Sequence, residues 1–360
     1  MTRRAGPLNL LDLSRPDLEA LVVELGESSY RAGQVWRWLY RRYATSIDAM
    51  TDLSASFRER LAARAEVRLP ELVRELVAED ALTRKALLRL ADGEVIETVL
   101  MLYEDGDRFG RRTVCISTQV GCAVGCPFCA TGQMGLVRNL TTGEIVAQAL
   151  HFARELSPTL SGDDRQHPIT NVVFMGMGEP MLNYDNTWRA VETLHARDGL
   201  NIGVRRMTIS TSGIIPGIER LAGEALPVNL AVSLHAPNDA LRNTMVPINK
   251  KYPIAALMRA CRNYIERTSR RIMFEYVLNR GVNDSEAHAH ELGRLLQGML
   301  CHVNLIPVNP TDSAFKRPSR DTTLTFQRIV DSYGIATTVR VEKGVEISAA
   351  CGQLKTEADA

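Results

Sequence analysis

From residue 171 onward the chain alternates between short apolar runs and helical stretches, and this alternation restricts the fold more than any other feature. Residues 171–175, 207–211, 229–235, 271–278 and 303–308 read as strands. A strand at 112–117 and a helix at 142–155 precede them. Buried parallel strands read as short β-branched or apolar runs, as these do. Right-handed strand–helix–strand units then curl into an open or partly closed barrel. The expected class is α/β, a partial (βα)6 TIM-like barrel. Ligands in such folds bind outside the carboxyl ends of the strands.

Ahead of the barrel, residues 8–66 read as a small helical domain. Ser14, with Pro16 just inside, opens a helix that Gly26 can end. Ser56 and Glu59 have capping-box spacing for another. Val35, Trp36, Leu39, Tyr40 and Tyr43 mark one helix face, with Gln34, Arg37 and Arg41 on the other. Arginines beside aromatics could grip RNA; equally, the aromatics are core and the arginines a solvated face. Residues 85–90, an Asp92-Gly93 turn and 94–103 read as a hairpin. The expected organisation is a helical accessory domain over 1–80, a β-hairpin linker over 81–111, the barrel over 112–354 and a disordered tail over 355–360. Polar loops are expected at 157–168 and 310–320.

Between the hairpin and the barrel helices lies Cys122-Ala123-Val124-Gly125-Cys126-Pro127-Phe128-Cys129. Three thiols at this spacing can converge on one inorganic centre if the backbone curls, which Gly121 and Gly125 permit. A structural zinc site is closed by four ligands, and most iron–sulfur clusters take four cysteines. Three thiolates on a four-iron cube leave one iron open for a small molecule. A zinc site completed by a distant His or Cys, or three buried structural cysteines, are the alternatives.

Other polar residues fall at the predicted carboxyl ends of strands. Gly176-Met177-Gly178-Glu179-Pro180 allows backbone to lie against a ligand, and Glu179 can accept from an ammonium group. Ser210, Ser233-Leu234-His235 and Asn309 end further strands, each singly as consistent with a cap as with a ligand contact. His235 could also be a zinc ligand. Glu97 alternates toward solvent in its strand. Cys261 and Cys301 read as buried small hydrophobes, whereas Gly352 and small neighbours place Cys351 in a mobile loop.

Hydrophobic residues at 45% and charged residues at 24% suit a globular chain, and no apolar run approaches membrane-spanning length. The amino terminus lacks a signal-peptide core, so a cytoplasmic protein is expected. Seven cysteines, three of them clustered, are unlike a secreted disulfide framework. A net charge of +1 means that any RNA footprint is local. Arg111, Arg112, Arg205, Arg206, Lys250, Lys251, Arg270, Arg271, Lys316, Arg317 and Arg320 offer such charge near loop ends, and a groove between the two domains is expected.

The cysteine spacing resembles the cluster signature of the radical S-adenosylmethionine enzymes. Together with Gly-Met-Gly-Glu-Pro, Ser-Leu-His-Ala-Pro-Asn at 233–238, Val-Pro-Ile-Asn-Lys-Lys-Tyr at 246–252 and Ala-Ala-Cys-Gly-Gln-Leu at 349–354, it is similar to one subfamily. These are the bacterial dual-specificity methyltransferases that modify carbon 2 of adenine in 23S rRNA and in tRNA. The resemblance runs from the helical amino-terminal domain to Leu354. It implies a 4Fe-4S cluster on Cys122, Cys126 and Cys129, with S-adenosyl-L-methionine held by Gly178, Glu179, Ser210, Ser233, Leu234, His235 and Asn309. It further implies Glu97 as proton acceptor, Cys351 as the methyl-carrying cysteine and Cys115 as the thiol that releases product through a transient disulfide with Cys351. Two S-adenosylmethionine molecules per turnover, a 5′-deoxyadenosyl radical, a covalent enzyme–RNA adduct, an electron donor such as flavodoxin and a monomer complete that picture. Methylation at adenine carbon 8, a glycyl-radical activating enzyme, or a non-catalytic metal-stapled RNA-binding module are the competing readings.

Overall fold

A computed structural model describes residues 6–105, 108–309, 314–340 and 343–355. The tail from 356 and the 310–313 part of the expected second polar loop lie outside the described residues. Ten strands form one sheet whose spatial order follows the chain: β1 (Glu71–Val77), β2 (Thr83–Arg89), β3 (Val95–Asp105), β4 (Arg108–Cys115), β5 (Asn171–Phe174), β6 (Met207–Thr211), β7 (Asn229–Ser233), β8 (Ile272–Leu278), β9 (Cys301–Pro307) and β10 (Ala336–Val339). β1 to β4 pair antiparallel, and β4 to β10 pair parallel throughout.

The barrel is therefore partial and open, with six parallel strands as expected and a seventh, β10, beyond them. Its sequence, Ala336-Thr-Thr-Val339, is half exposed at the sheet edge and carries no apolar run to betray it. The hairpin at Asp92-Gly93, where Gly93 has φ +90°, joins β2 to β3 within this same sheet.

Each parallel connection is helical. Between β4 and β5 runs a helix at Thr142–Leu156, started by a capping box in which Thr141 accepts from the Glu144 N–H and Glu144 accepts from the Thr141 N–H. Nearly its whole surface is buried, because it packs on the sheet, on the helix at Tyr184–His195 and on the turn at Leu10–Asp12 that leads into the amino-terminal helices. Those helices are Arg15–Glu24, Tyr30–Tyr40 and Ala55–Ala62. Ser14 caps the first, in a box with Asp17. The third is capped by Ser54 rather than by Ser56, since Ser54 is extended and accepts from the Phe57 N–H, while Ser56 already lies inside the first turn.

Val35, Trp36, Leu39 and Tyr40 are core, so this face of the second helix is packing rather than an RNA platform. The domain is joined to the barrel by Asp12 Oδ1, which accepts from the Gly143 N–H at 2.8 Å, and by Arg15 Nη1 on Asp198 at 2.6 Å. The 157–168 stretch is partly helical, with a short helix at Gly162–Gln166. Among the described residues no helix is long and apolar enough to cross a membrane.

Candidate active site

A cavity enclosing about 1010 Å³, the open space at its mouth included, lies at the carboxyl ends of the parallel strands. Cys122, Cys126 and Cys129 form one side of it. Their loop is drawn tight by a ribbon in which Gln119–Gly121 pairs antiparallel with Leu136–Asn139. The Cys122 N–H donates to Gly135 O at 2.8 Å, and the Cys129 N–H to Cys126 O at 3.1 Å. Gly121 has φ +72°, and a Cβ there would stand 1.9 Å from Gly135 O, so no other residue fits. Burial raises the ionisation range of all three thiols, Cys122 to about 12, and for Cys126 and Cys129 neighbouring thiols add to the rise. Such a set ionises readily only when a cation compensates it.

Three thiolates are one ligand short of a closed structural zinc site, whereas on a four-iron cluster they leave one iron open toward the cavity they line. His235 is poorly placed to complete a zinc site: its Nδ1 accepts from the Val277 N–H at 3.0 Å, so the proton sits on Nε2. Burial, assisted by Arg242, lowers its basicity to about 3 and keeps it neutral.

The opposite wall carries the polar residues singled out from sequence. Gly178 has φ +100°, and a Cβ there would lie 2.6 Å from the Gln119 side chain. Glu179 is buried, and burial shifts its carboxyl upward even though Oε2 accepts from the Ser212 N–H at 2.6 Å and hydroxyl at 2.7 Å, and Oε1 from the Met181 N–H at 3.0 Å. Ser210, Ser233, His235 and Asn309 also line the cavity. Leu234 does not; it is fully buried behind the wall, its N–H donating to Glu275 O.

Cys351 reaches the same cavity from the carboxyl-terminal segment 343–355. That segment is docked by hydrogen bonds: Ala130 N–H to Gly352 O at 2.8 Å, Thr131 Oγ1 to Leu354 O at 2.6 Å, and Asn309 Nδ2 to Cys351 O at 3.1 Å. An adjoining cavity is shared by Cys351 and Cys115. All seven cysteines are free thiols, so the expected Cys115–Cys351 disulfide is not formed here. Cys115 ends β4 inside the sheet at 7% exposure, and burial pushes its thiol up to about 12.

Two charged residues overlooked in the sequence line this site. Arg340 follows β10, lines both cavities and is held charged chiefly by Cys351, with Glu275, Tyr103 and Cys115 adding to this. Glu275, on β8, is buried, and its Oε2 accepts from Asn304 Nδ2 at 2.9 Å.

Glu97 does not alternate to solvent. It is buried beneath the carboxyl-terminal segment, with Oε1 2.9 Å from Lys85 Nζ and Oε2 accepting from the Lys355 N–H at 2.9 Å. Lys85 also donates to Ser348 O at 3.2 Å. Glu97 is near the Cys351 loop but behind the wall of either cavity. Cys261 and Cys301 are buried, as expected.

The basic residues divide by position. Arg112 is fully buried, bonded to Pro168 O, His167 O and Asp164, and offers nothing to RNA. Arg205, Arg206, Arg270 and Arg271 directly precede β6 and β8, at the end of the barrel away from the cavity. Lys250, Lys251, Lys316, Arg317 and Arg320 follow β7 and β9 on the cavity side. Between the domains, Arg41, Arg42, Arg154 and Arg165 line a separate recess.

Residues 8–67 match the ribosomal RNA large subunit methyltransferase N-terminal domain, and residues 116–292 match the radical SAM superfamily. The chain is 50% identical to a probable dual-specificity RNA methyltransferase RlmN of Roseiflexus sp. (strain RS-1), over 96% of each chain. It is 52% identical to a protein of the same description from Chloroflexus aurantiacus, over 96% of this chain and 92% of that one. The chain belongs to the RlmN family of dual-specificity RNA methyltransferases. The crystal structure of a radical SAM methyltransferase from Sphaerobacter thermophilus superposes with a TM-score of 0.91 at 52% identity, covering 98% of this chain and 100% of that one. Membership of the radical SAM superfamily implies an iron–sulfur cluster and S-adenosylmethionine, and the thiol triangle and the polar wall fit both.

Proposed function

We propose that this RlmN-family chain methylates carbon 2 of adenine in 23S rRNA and in tRNA, with Cys351 carrying the methyl group. The observation behind this reading is the placement of Cys351: it borders both the cluster cavity and the pocket of Cys115, with Arg340 beside the two thiols. When bound, a 4Fe-4S cluster on Cys122, Cys126 and Cys129 and two molecules of S-adenosylmethionine per turnover supply a methyl group and the one-electron chemistry that makes it reactive toward an electron-poor carbon. Gly178, Glu179, Ser210, Ser233, His235 and Asn309 hold the cofactor, Glu179 by accepting from its ammonium group and His235 by donating from Nε2, while Leu234 packs behind the wall and positions its neighbours Ser233 and His235.

Cys351 takes the methyl group and presents it to the base. With one hydrogen atom removed from it by the one-electron chemistry the cofactor would supply, its carbon would bond to carbon 2 as a methylene bridge. The covalent adduct would give one electron back to the centre on the cysteine loop as the carbon-2 proton leaves. Glu97 accepts the carbon-2 proton once the carboxyl-terminal segment has lifted from it. Cys115 then attacks the Cys351 sulfur. The S–S bond forms, the bond from sulfur to the methylene carbon breaks, and its electron pair goes to the product, which takes up a proton. The disulfide left behind is reduced by thiols of the cytosol, where this protein works as a monomer supplied with electrons by a donor such as flavodoxin. The helices ahead of β1 act as the accessory RNA-binding domain, and the antiparallel strands β1 to β3 extend the sheet of the catalytic barrel at 112–354 toward it.

Anaerobically reconstituted protein, incubated with labelled S-adenosylmethionine and an RNA fragment, should yield 2-methyladenosine by nucleoside mass spectrometry. Label at carbon 8 would reassign the position, and absence of both methylation and cofactor consumption would leave a non-catalytic RNA-binding module.

Because the thiolate is the attacking species and burial holds Cys115 near 12, decay of the adduct should accelerate roughly tenfold per pH unit in the accessible range. Arg340 lowers the Cys115 value, so Arg340→Met should raise it and slow adduct decay about tenfold or more. Quenched single-turnover gels measure this; decay at the parent rate would remove Arg340 from the release step.

A further inference from the structure

We propose that Glu75, His151 and Glu155 form a divalent-cation site, suited to zinc, that fastens the edge strand β1 to the helix at Thr142–Leu156. None of the three takes part in the reaction described above. His151 and Glu155 are four residues apart on one helix and so share a face. Glu75 comes from β1, on the hairpin extension of the sheet. One ligand atom from each lies within 4.8 Å of the others.

The second observation is the state of those atoms. His151 is 7% exposed, and its Nε2 makes no hydrogen bond, although it stands 3.2 Å from Glu155 Oε1. Glu155 Oε2 and Glu75 Oε1 are likewise buried without a hydrogen-bond partner. A buried polar atom left unpaired costs about 1–3 kcal/mol, and each of these three residues carries one while offering a ligand atom within 4.8 Å of the other two. Imidazole with two carboxylates is a borderline-soft set that zinc accepts, with water completing the coordination. Zinc at about 2.0–2.2 Å from each ligand asks for closer spacing than 4.8 Å, which small side-chain rotations supply.

Arg84 and Arg154 are the cations facing the cluster. They offset the carboxylate charge from a distance but leave the three atoms uncoordinated, and a guanidinium swung into the gap is the competing occupant.

The test uses full-chain holoenzyme, whose cluster already occupies the thiols of the cysteine loop. Added Co²⁺ should give ligand-field bands without thiolate-to-cobalt charge transfer, and added Zn²⁺ should bind one equivalent beyond the cluster iron. Amide exchange over residues 71–77 should slow roughly 100-fold at free zinc one hundred times Kd, if local opening releases the ion. His151→Ala should abolish all three effects. Glu75→Gln, a conservative change on the exposed edge strand, should weaken zinc binding at least tenfold even if the His151 variant folds poorly. A cobalt spectrum dominated by thiolate, no added zinc, or unchanged binding in Glu75→Gln would overturn the proposal, the second pointing to Arg84 as the occupant and the third to a zinc ion bound elsewhere.

Discussion

Cys115→Ala protein should accumulate a covalent enzyme–RNA adduct, one per active site, instead of turning over. Cys115 and Cys351 share a pocket, and no other cysteine lines it. Cys261 and Cys301 are buried elsewhere and cannot substitute. Without a resolving thiol the sulfur-to-carbon bond has no nucleophile to break it, so steady-state methylation should fall by about a thousandfold or more, in the range of a lost nucleophile. Cys351→Ala should bind RNA, transfer no methyl group and form no adduct, and the double variant should behave like Cys351→Ala. A denaturing gel with labelled RNA separates these outcomes. Clean turnover by Cys115→Ala would sink the assignment of both thiols.

Arg242→Met should cost about 3–5 kcal/mol of folding stability, at about 1–3 kcal/mol for each buried oxygen that loses its donor, the largest loss expected from a single change outside the thiols. Arg242 is fully buried, and burial lowers its guanidinium to about 10. Its nitrogens donate to Ser212 O at 2.6 Å, Asn249 Oδ1 at 2.8 Å, Leu234 O at 2.9 Å and Ser233 O at 3.0 Å. A methionine fills the space but takes the Arg242 donors from Ser212 O, Ser233 O and Asn249 Oδ1 in a dry interior, while Leu234 O keeps the Ala236 N–H. The same bonds tie the ends of β6 and β7, where Ser210, Ser233 and His235 line the cavity, so cofactor affinity should weaken alongside stability. Lysine should not rescue, because a point charge cannot span the carbonyls that the planar fork reaches. Denaturant titration measures the loss, and a change below about 1 kcal/mol would refute the argument.

The contrast between Arg242 and Arg112 on one side and the exposed arginines on the other could not be read from the chain. All are charged residues near predicted loop ends. What separates them is whether carbonyl oxygens from distant segments converge around the guanidinium: 168 and 167 for Arg112, 212, 233 and 234 for Arg242. Arg340 was missed for a related reason. It sits after a four-residue edge strand whose pattern is too short and too exposed to register as a strand.

The sequence by itself determined what depends on neighbours in the chain. The cysteine spacing, the glycines at 121 and 178 that only a positive φ explains, the Ser14 cap and the strand–helix alternation are all local, and local geometry follows from local residue types. The tertiary structure decided everything that depends on who meets whom. It sank Glu97 against Lys85 and Lys355, set Cys115 in a pocket with Cys351, and brought Glu75 of β1 together with His151 and Glu155 on a helix some seventy residues on. Such meetings are fixed by strand order and register, which turn on the burial of the whole core, and no window of the sequence contains them.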